Sequence, residues 1–242
     1  MSSAVAIEAG DVKTDPGSAV AGALHTAVLL VILLGGAALM YFSDRLVHSG
    51  AQPHRLALYG TTIVWEWLLT AYVLFGVRSR GKSLAEVTGA RWTSARDVLR
   101  DIGIALAFWI VALIVLGLVA TSMRFHGSRE TVSALAPEGP AQIALWVLLC
   151  VTAGFCEETI FRGYLQKQFI AWIGSVPAGI FLSAAVFAIC HIYQGPKAVV
   201  VIGVYGLLFG ILAQWRNSLR PGMMTHAFHD TVSGLAVRLL PK

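Results

Sequence analysis

Seven apolar stretches, each about long enough to cross a bilayer, constrain this chain more than any other feature. They fall at roughly 21–43, 56–77, 100–122, 141–170, 173–193, 197–215 and 222–240 of the 242 residues. A span needs about 20 mostly apolar residues. In lipid every backbone N–H and C=O must be satisfied within the segment, so such stretches fold as helices. The expected fold is all-α: a polytopic transmembrane helical bundle of about seven spans, six to eight fitting the same profile, around an intramembrane polar cavity. Composition agrees, because only 13% of residues are charged and mean hydropathy is +0.72, against about 25% charged residues in soluble domains.

Residues 1–20, MSSAVAIEAGDVKTDPGSAV, carry three acids and one lysine, the wrong charge for a secretory leader. They read as a disordered N-terminal tail. The N-terminal transmembrane helices occupy 21–122 and include a basic connection, 78–100, with Arg78, Arg80, Lys82, Arg91, Arg96 and Arg100. The positive-inside rule puts that loop and the N-terminus in the cytoplasm, where anionic headgroups of the lipid bilayer are a compatible partner. The net charge of +5 therefore reflects cytoplasmic loops, and no nucleic-acid partner is expected. Cys150, Cys156 and Cys190 are odd in number and form no C-x-x-C pair, which argues against a disulfide framework or a thiolate metal site. The expected location is the cell membrane, as an integral multi-pass protein. Nothing in the sequence signals an oligomeric state.

The stretch GFCEETIFRGYLQ, from Gly154, places Glu157, Glu158 and Arg162 inside an apolar run. A charged group at mid-helix costs about 2.5–3.5 kcal/mol on insertion scales and marks function by default. On an α-helix, Glu158 and Arg162 lie four apart on one face in the better order for an ion pair. Glu157 is rotated by about 100° and has no partner at that spacing. FLSAAVFAICHIYQG places His191 one turn after Phe187, and PGMMTHAFHDTVSG places His226, His229 and Asp230 in the last span. His226 and Asp230 share a face. A lone histidine in such a helix more often makes an interhelical hydrogen bond, but three polar-bearing spans together favour one convergent site. Glu66, in TTIVWEWLLT, is a further intramembrane acid; lining that site and bonding a neighbouring helix weigh equally for it. His25, His48, His54 and His126 sit near loops or span ends and carry no signal.

The chemistry open to such a set is narrow. A carboxylate and an imidazole facing one water can deprotonate it toward a carbonyl, while a second imidazole stabilises the oxyanion. Alternatively, His191, His226 and Asp230 can hold a catalytic Zn2+ with an open water position. No H-E-x-x-H and no G-x-S-x-G occurs, so neither a zincin nor a serine triad is indicated. Cys190 and His191 are helical neighbours and face apart.

EETIFR resembles the E-E-x-x-x-R motif of the CPBP family, the CAAX proteases and bacteriocin-processing enzymes. FAICH resembles that family's F-x-x-x-H, and HAFHD its H-x-x-x-N/D, in the same order on successive polar-bearing spans. The resemblance covers about 141–240, which would then be the catalytic transmembrane core, and leaves the first hundred residues unmarked. It implies an architecture similar to the Ras-converting prenyl endopeptidase and a membrane-embedded or lipidated peptide substrate, either prenylated (CAAX-type) or a leader peptide. It also implies that Glu157 and His191 activate the water, that His226 and Asp230 stabilise the oxyanion, and that Glu158, Arg162 and Phe187 shape the site; the motif skips His229. Many members have Asn in place of Asp230. An ionised carboxylate only accepts hydrogen bonds, so Asp230 must be protonated, orient His226 or bind a metal. Members are labelled metalloproteases, yet a glutamate–histidine mechanism needs no ion, and both chemistries stay open.

Glu157 and His191 lie at similar distances from the turn near Gly174, so an antiparallel hairpin brings them level. His226 follows its own turn too closely to match without a broken or tilted helix, for which PGMM and QGPK offer places. Two other classes compete with the peptidase reading: a non-catalytic membrane scaffold or bacteriocin-immunity-type protein, and a proton-coupled transporter. The absence of an inverted repeat counts against the transporter.

Overall fold

The computed structural model describes residues 19–46, 54–125 and 136–236. Most of the expected tail, residues 1–18, and the end of the last span beyond 236 lie outside the described residues. The described chain is helical, without a strand: α1 (Ala23–Leu46), α2 (Arg55–Ser79), α3 (Leu84–Thr88), α4 (Ala95–Ser122), α5 (Pro140–Ile173), α6 (Val176–Cys190), α7 (Pro196–Arg216) and α8 (Arg220–Ala236). A helix stands at each of the seven apolar stretches. Five of them (α1, α2, α4, α5 and α7) are long and apolar enough to cross a membrane. The 15-residue α6 is shorter, spanning about 22 Å against a hydrocarbon core of about 30 Å. The chain is a polytopic helical bundle and an integral, multi-pass membrane protein.

α5 carries the bundle. It runs 34 residues without a break, but its middle, Glu158–Leu165, is π-helical and buried at every position. A π stretch bonds i to i+5, is rare, and often marks a functional site. Here it is packed on all sides. Gly163 meets α3, where a Cβ would lie 2.5 Å from Val87 Cγ1, and Ser183 of α6 donates to Phe161 O at 2.7 Å.

Buried amides and rings tie the N-terminal helices to this axis. Gln168 accepts from the Val20 and Ala21 amides at 2.9 and 3.1 Å and donates to Ala21 O at 2.9 Å. His25 is half-buried and bonded to two helices rather than an unremarkable span-end residue. Its ring stacks on Tyr72 at 4.0 Å, Nδ1 lies 2.8 Å from Tyr164 Oη of the π segment, and Nε2 lies 3.0 Å from Tyr72 O.

The basic connection is folded. Ser83 and Glu86 close a capping box on α3, reading S-x-x-E at its N-terminus, and Ser94 caps α4. Lys167 Nζ donates to Glu86 O and Val87 O at 2.5 and 3.2 Å. Leu219 N donates to Thr88 O at 3.0 Å, and Arg220 donates to Ala90 O and Gly89 O. The connection thus braces the ends of α5 and α8. Gly89, at φ +97°, is required there, since a Cβ would sit 2.8 Å from Ser218 Cα.

Candidate active site

Two glycines let α8 reach the acidic part of α5. A Cβ on Gly154 would lie 2.7 Å from Met223 O and 2.9 Å from Ala227 N, and one on Gly222 would lie 3.3 Å from Glu158 Oε2. Backbones this close bring His226 against both glutamates with α8 unbroken from Arg220 to Ala236; the break falls before it, at Asn217, whose φ is +47°.

Glu158 Oε1 lies 2.8 Å from Arg162 Nη1 and 3.1 Å from His226 Nδ1. The pairing of Glu158 with Arg162 expected from their spacing is present, and both side chains are 1% exposed. On the other edge of the imidazole, Nε2 lies 3.7 Å from Glu157 Oε2 and 3.5 Å from Asp230 Oδ2. α-Helical spacing turned the adjacent glutamates to separate faces and left Glu157 alone. In the structure they stand at the start of the π turn and close on one ring from opposite edges. The carboxylates open outward in sequence, with side chains 1% exposed at Glu158, 16% at Glu157 and 34% at Asp230.

Arg162 is enclosed. Its guanidinium sits 4.5 Å from the Phe187 ring centroid and 5.3 Å from that of Phe209, and Nη2 donates to Gly206 O at 3.2 Å. Stacked arginines of this kind gain cation–π attraction on desolvation. Phe187 therefore borders the site as expected, whereas Phe209 stands outside the motifs and was not singled out.

His191 ends α6, and its Nδ1 lies 2.8 Å from Phe187 O. A carbonyl only accepts, so Nδ1 carries the proton and the neutral ring keeps Nε2 as an acceptor. The ring lies 4.7 Å from Phe187 and 6.2 Å from Tyr193, while Phe187 in turn is 6.3 Å from His226. Cys190 and Tyr193, on either side of His191, are within electrostatic reach of Glu157. His229 packs on Tyr205 at 5.2 Å, and Tyr205 is 6.0 Å from His226. The Tyr205 hydroxyl is buried without a hydrogen-bond partner; no sequence motif marked it.

His226 Nδ1 already faces Glu158 and His191 Nδ1 a carbonyl. Among the described residues no three His, Cys, Asp or Glu side chains converge at metal-holding spacing, and His191, His226 and Asp230 form no such group. A shallow hollow lined by Gly60, Thr61, Val64, Trp65 and Leu68 lies on α2, and no polar side chain of this site borders it.

These helices and this acid–histidine cluster define a polytopic membrane protein with an ionisable site inside its bundle. Residues 139–232 match the family model for Rce1-like proteins, the type II CAAX prenyl endopeptidases. No curated protein and no solved structure matches the chain. The matched segment holds all seven residues of the three motifs and none of the first hundred residues. The family is one of CAAX-type intramembrane proteases, so a peptidase acting on membrane-associated peptide is implied.

Proposed function

We propose that the chain is an intramembrane endopeptidase that hydrolyses a peptide bond of a prenylated (CAAX-type) or leader-peptide substrate with a water activated by Glu157 and His191. The observation that carries this reading is the single imidazole of His226 set between Glu158 at one nitrogen and Glu157 and Asp230 at the other. A ring with carboxylate oxygens at both nitrogens is placed to donate from both. Nδ1 donates to Glu158, which Arg162 keeps in place, and Nε2–H is the donor that stabilises the oxyanion.

Glu157 Oε2 has no hydrogen-bond partner and takes the proton as water attacks the carbonyl carbon. That proton passes to the leaving amine when the C–N bond breaks. His191, its Nε2 an acceptor, supports the same water. Asp230 orients His226 rather than donating to the oxyanion, a role its 3.5 Å contact with Nε2 supports. Each step balances with these side chains and water alone, and the proposed mechanism uses no metal ion.

The test compares peptides from membranes of cells expressing the parent chain or Glu157→Gln at matched levels. Fragments of membrane or lipidated proteins that vanish in the variant identify the substrate. Identical peptide inventories, with both proteins folded, turn the assignment to a scaffold or immunity-type protein.

A further inference from the structure

Glu66 lies outside the family-matched segment, yet it is within electrostatic reach of the same cluster. Two ring contacts fix how α2 lies on α5: Tyr59 on Trp146 at 5.4 Å and Trp67 on Phe155 at 5.5 Å. Both advance in the same chain direction, so the helices run parallel, and Glu66, beside Trp67, falls level with the turn leading into Glu157. Glu66 is within electrostatic reach of Glu157 and Cys156 on α5, Cys190 at the end of α6, Tyr193 in the turn that follows, and His226 on α8. Groups from four elements are thus within its electrostatic reach.

Glu66 Oε2 and Glu157 Oε2 are both buried, and neither has a hydrogen-bond partner. A buried polar atom left unpaired costs about 1–3 kcal/mol, more when charged, so these two oxygens, on carboxyls within electrostatic reach of each other, each need a donor. One water fits, because it offers two O–H groups to two acceptors in a polar site. We infer that Glu66 is a second carboxylate of the water site and that the attacking water donates one O–H to Glu157 and the other, bifurcated, to Glu66 and His191 Nε2. With both hydrogens engaged, a lone pair is directed at the substrate carbonyl. Glu157 then takes one proton while Glu66 goes on accepting from the remaining O–H of the nascent hydroxide, whose oxygen forms the new C–O bond. Glu66 is a catalytic residue in this arrangement and comes from the N-terminal half of the chain.

This inference rests on the peptidase reading for its chemistry but not for its geometry, and two measurements separate them. In bilayer-reconstituted full-length protein, Glu66→Gln and Glu66→Ala should each lower kcat about 10²-fold, the loss typical of a misplaced reactant, with KM unchanged. The thermal midpoints of Glu66→Gln, Glu157→Gln and the double variant should be non-additive, as for groups sharing a partner. Parental kcat in both Glu66 variants, or additive midpoint shifts, overturns the second-carboxylate role. A parent chain that cleaves nothing overturns the peptidase reading instead, and the additivity of the midpoints still decides whether Glu66 and Glu157 share a partner.

Discussion

Glu158 and His226 meet at 3.1 Å through the same carboxylate oxygen that binds Arg162 at 2.8 Å. One sealed oxygen therefore joins a structural ion pair to the ring that faces the outer carboxylates. Glu157, one residue earlier, touches the other edge of that ring at 3.7 Å without a hydrogen bond of its own. The two glutamates should separate cleanly in their effects.

Arg162→Ala strips a buried carboxylate of its cation and should cost about 3–5 kcal/mol of stability, the usual penalty for breaking a buried pair. Glu157→Gln is isosteric and breaks no hydrogen bond to another side chain, so stability should change by about 1 kcal/mol or less while cleavage falls about 10²–10⁴-fold. Thermal unfolding in bilayer discs read beside peptide cleavage checks the split. A Glu157→Gln protein as unstable as Arg162→Ala would assign Glu157 to structure.

Asp230 contacts His226 from the most exposed of the three carboxylates. If its task is to orient the ring, Asp230→Asn should retain cleavage within about tenfold, since the amide still reaches Nε2, whereas Asp230→Ala should lose about 10–100-fold, the cost of removing a group that orients an active side chain. Activity equal in both variants would show that the ring is held by Glu158 alone.

A peptidase that works through Glu157 and His191 should survive removal of divalent ions. Cleavage by protein treated with a membrane-permeant chelator should match that of untreated protein, and added zinc should not raise it. Loss on chelation with recovery on zinc would instead require ligands that come together only with substrate bound.

The bundle was legible because lipid allows a long apolar run no structure but a helix, and the Glu158–Arg162 pair was legible because helical spacing fixes it. Two features defeated that reasoning. The π turn at Glu158–Leu165 has no sequence signature in residue spacing, so adjacent glutamates that share a ring looked divergent. Tertiary contact, not local pattern, places Phe209 on Arg162, Tyr205 beside His226 and His25 against Tyr164. The folded basic connection, by contrast, carried a readable sign: Ser83 and Glu86 form a capping box in a stretch taken as a plain loop. Hydrogen bonds from Ser83 hold the Glu86 carboxyl below its usual range. Its contribution is present above the unfolded-state value and is lost as pH falls through the folded one.

The close approach of α5 and α8 makes the last test. Both glutamates and His226 meet only because Gly154 lets the backbones touch, with a Cβ there 2.7 Å from Met223 O. That atom is main chain and cannot rotate away. Gly154→Val must therefore push α8 outward, lengthening the His226 contacts to Glu157 and Glu158 together. Overpacking of this kind costs about 1–3 kcal/mol, tolerable in a protein that still folds, whereas a displacement of about 1 Å at the reacting groups costs about 10²-fold in rate. The expected variant is thus folded and nearly inactive. At Gly36, where nothing lies within 4 Å of a Cβ, Gly36→Val should leave cleavage unchanged. Equal activity in the two variants would mean that the α5–α8 contact does not set the site.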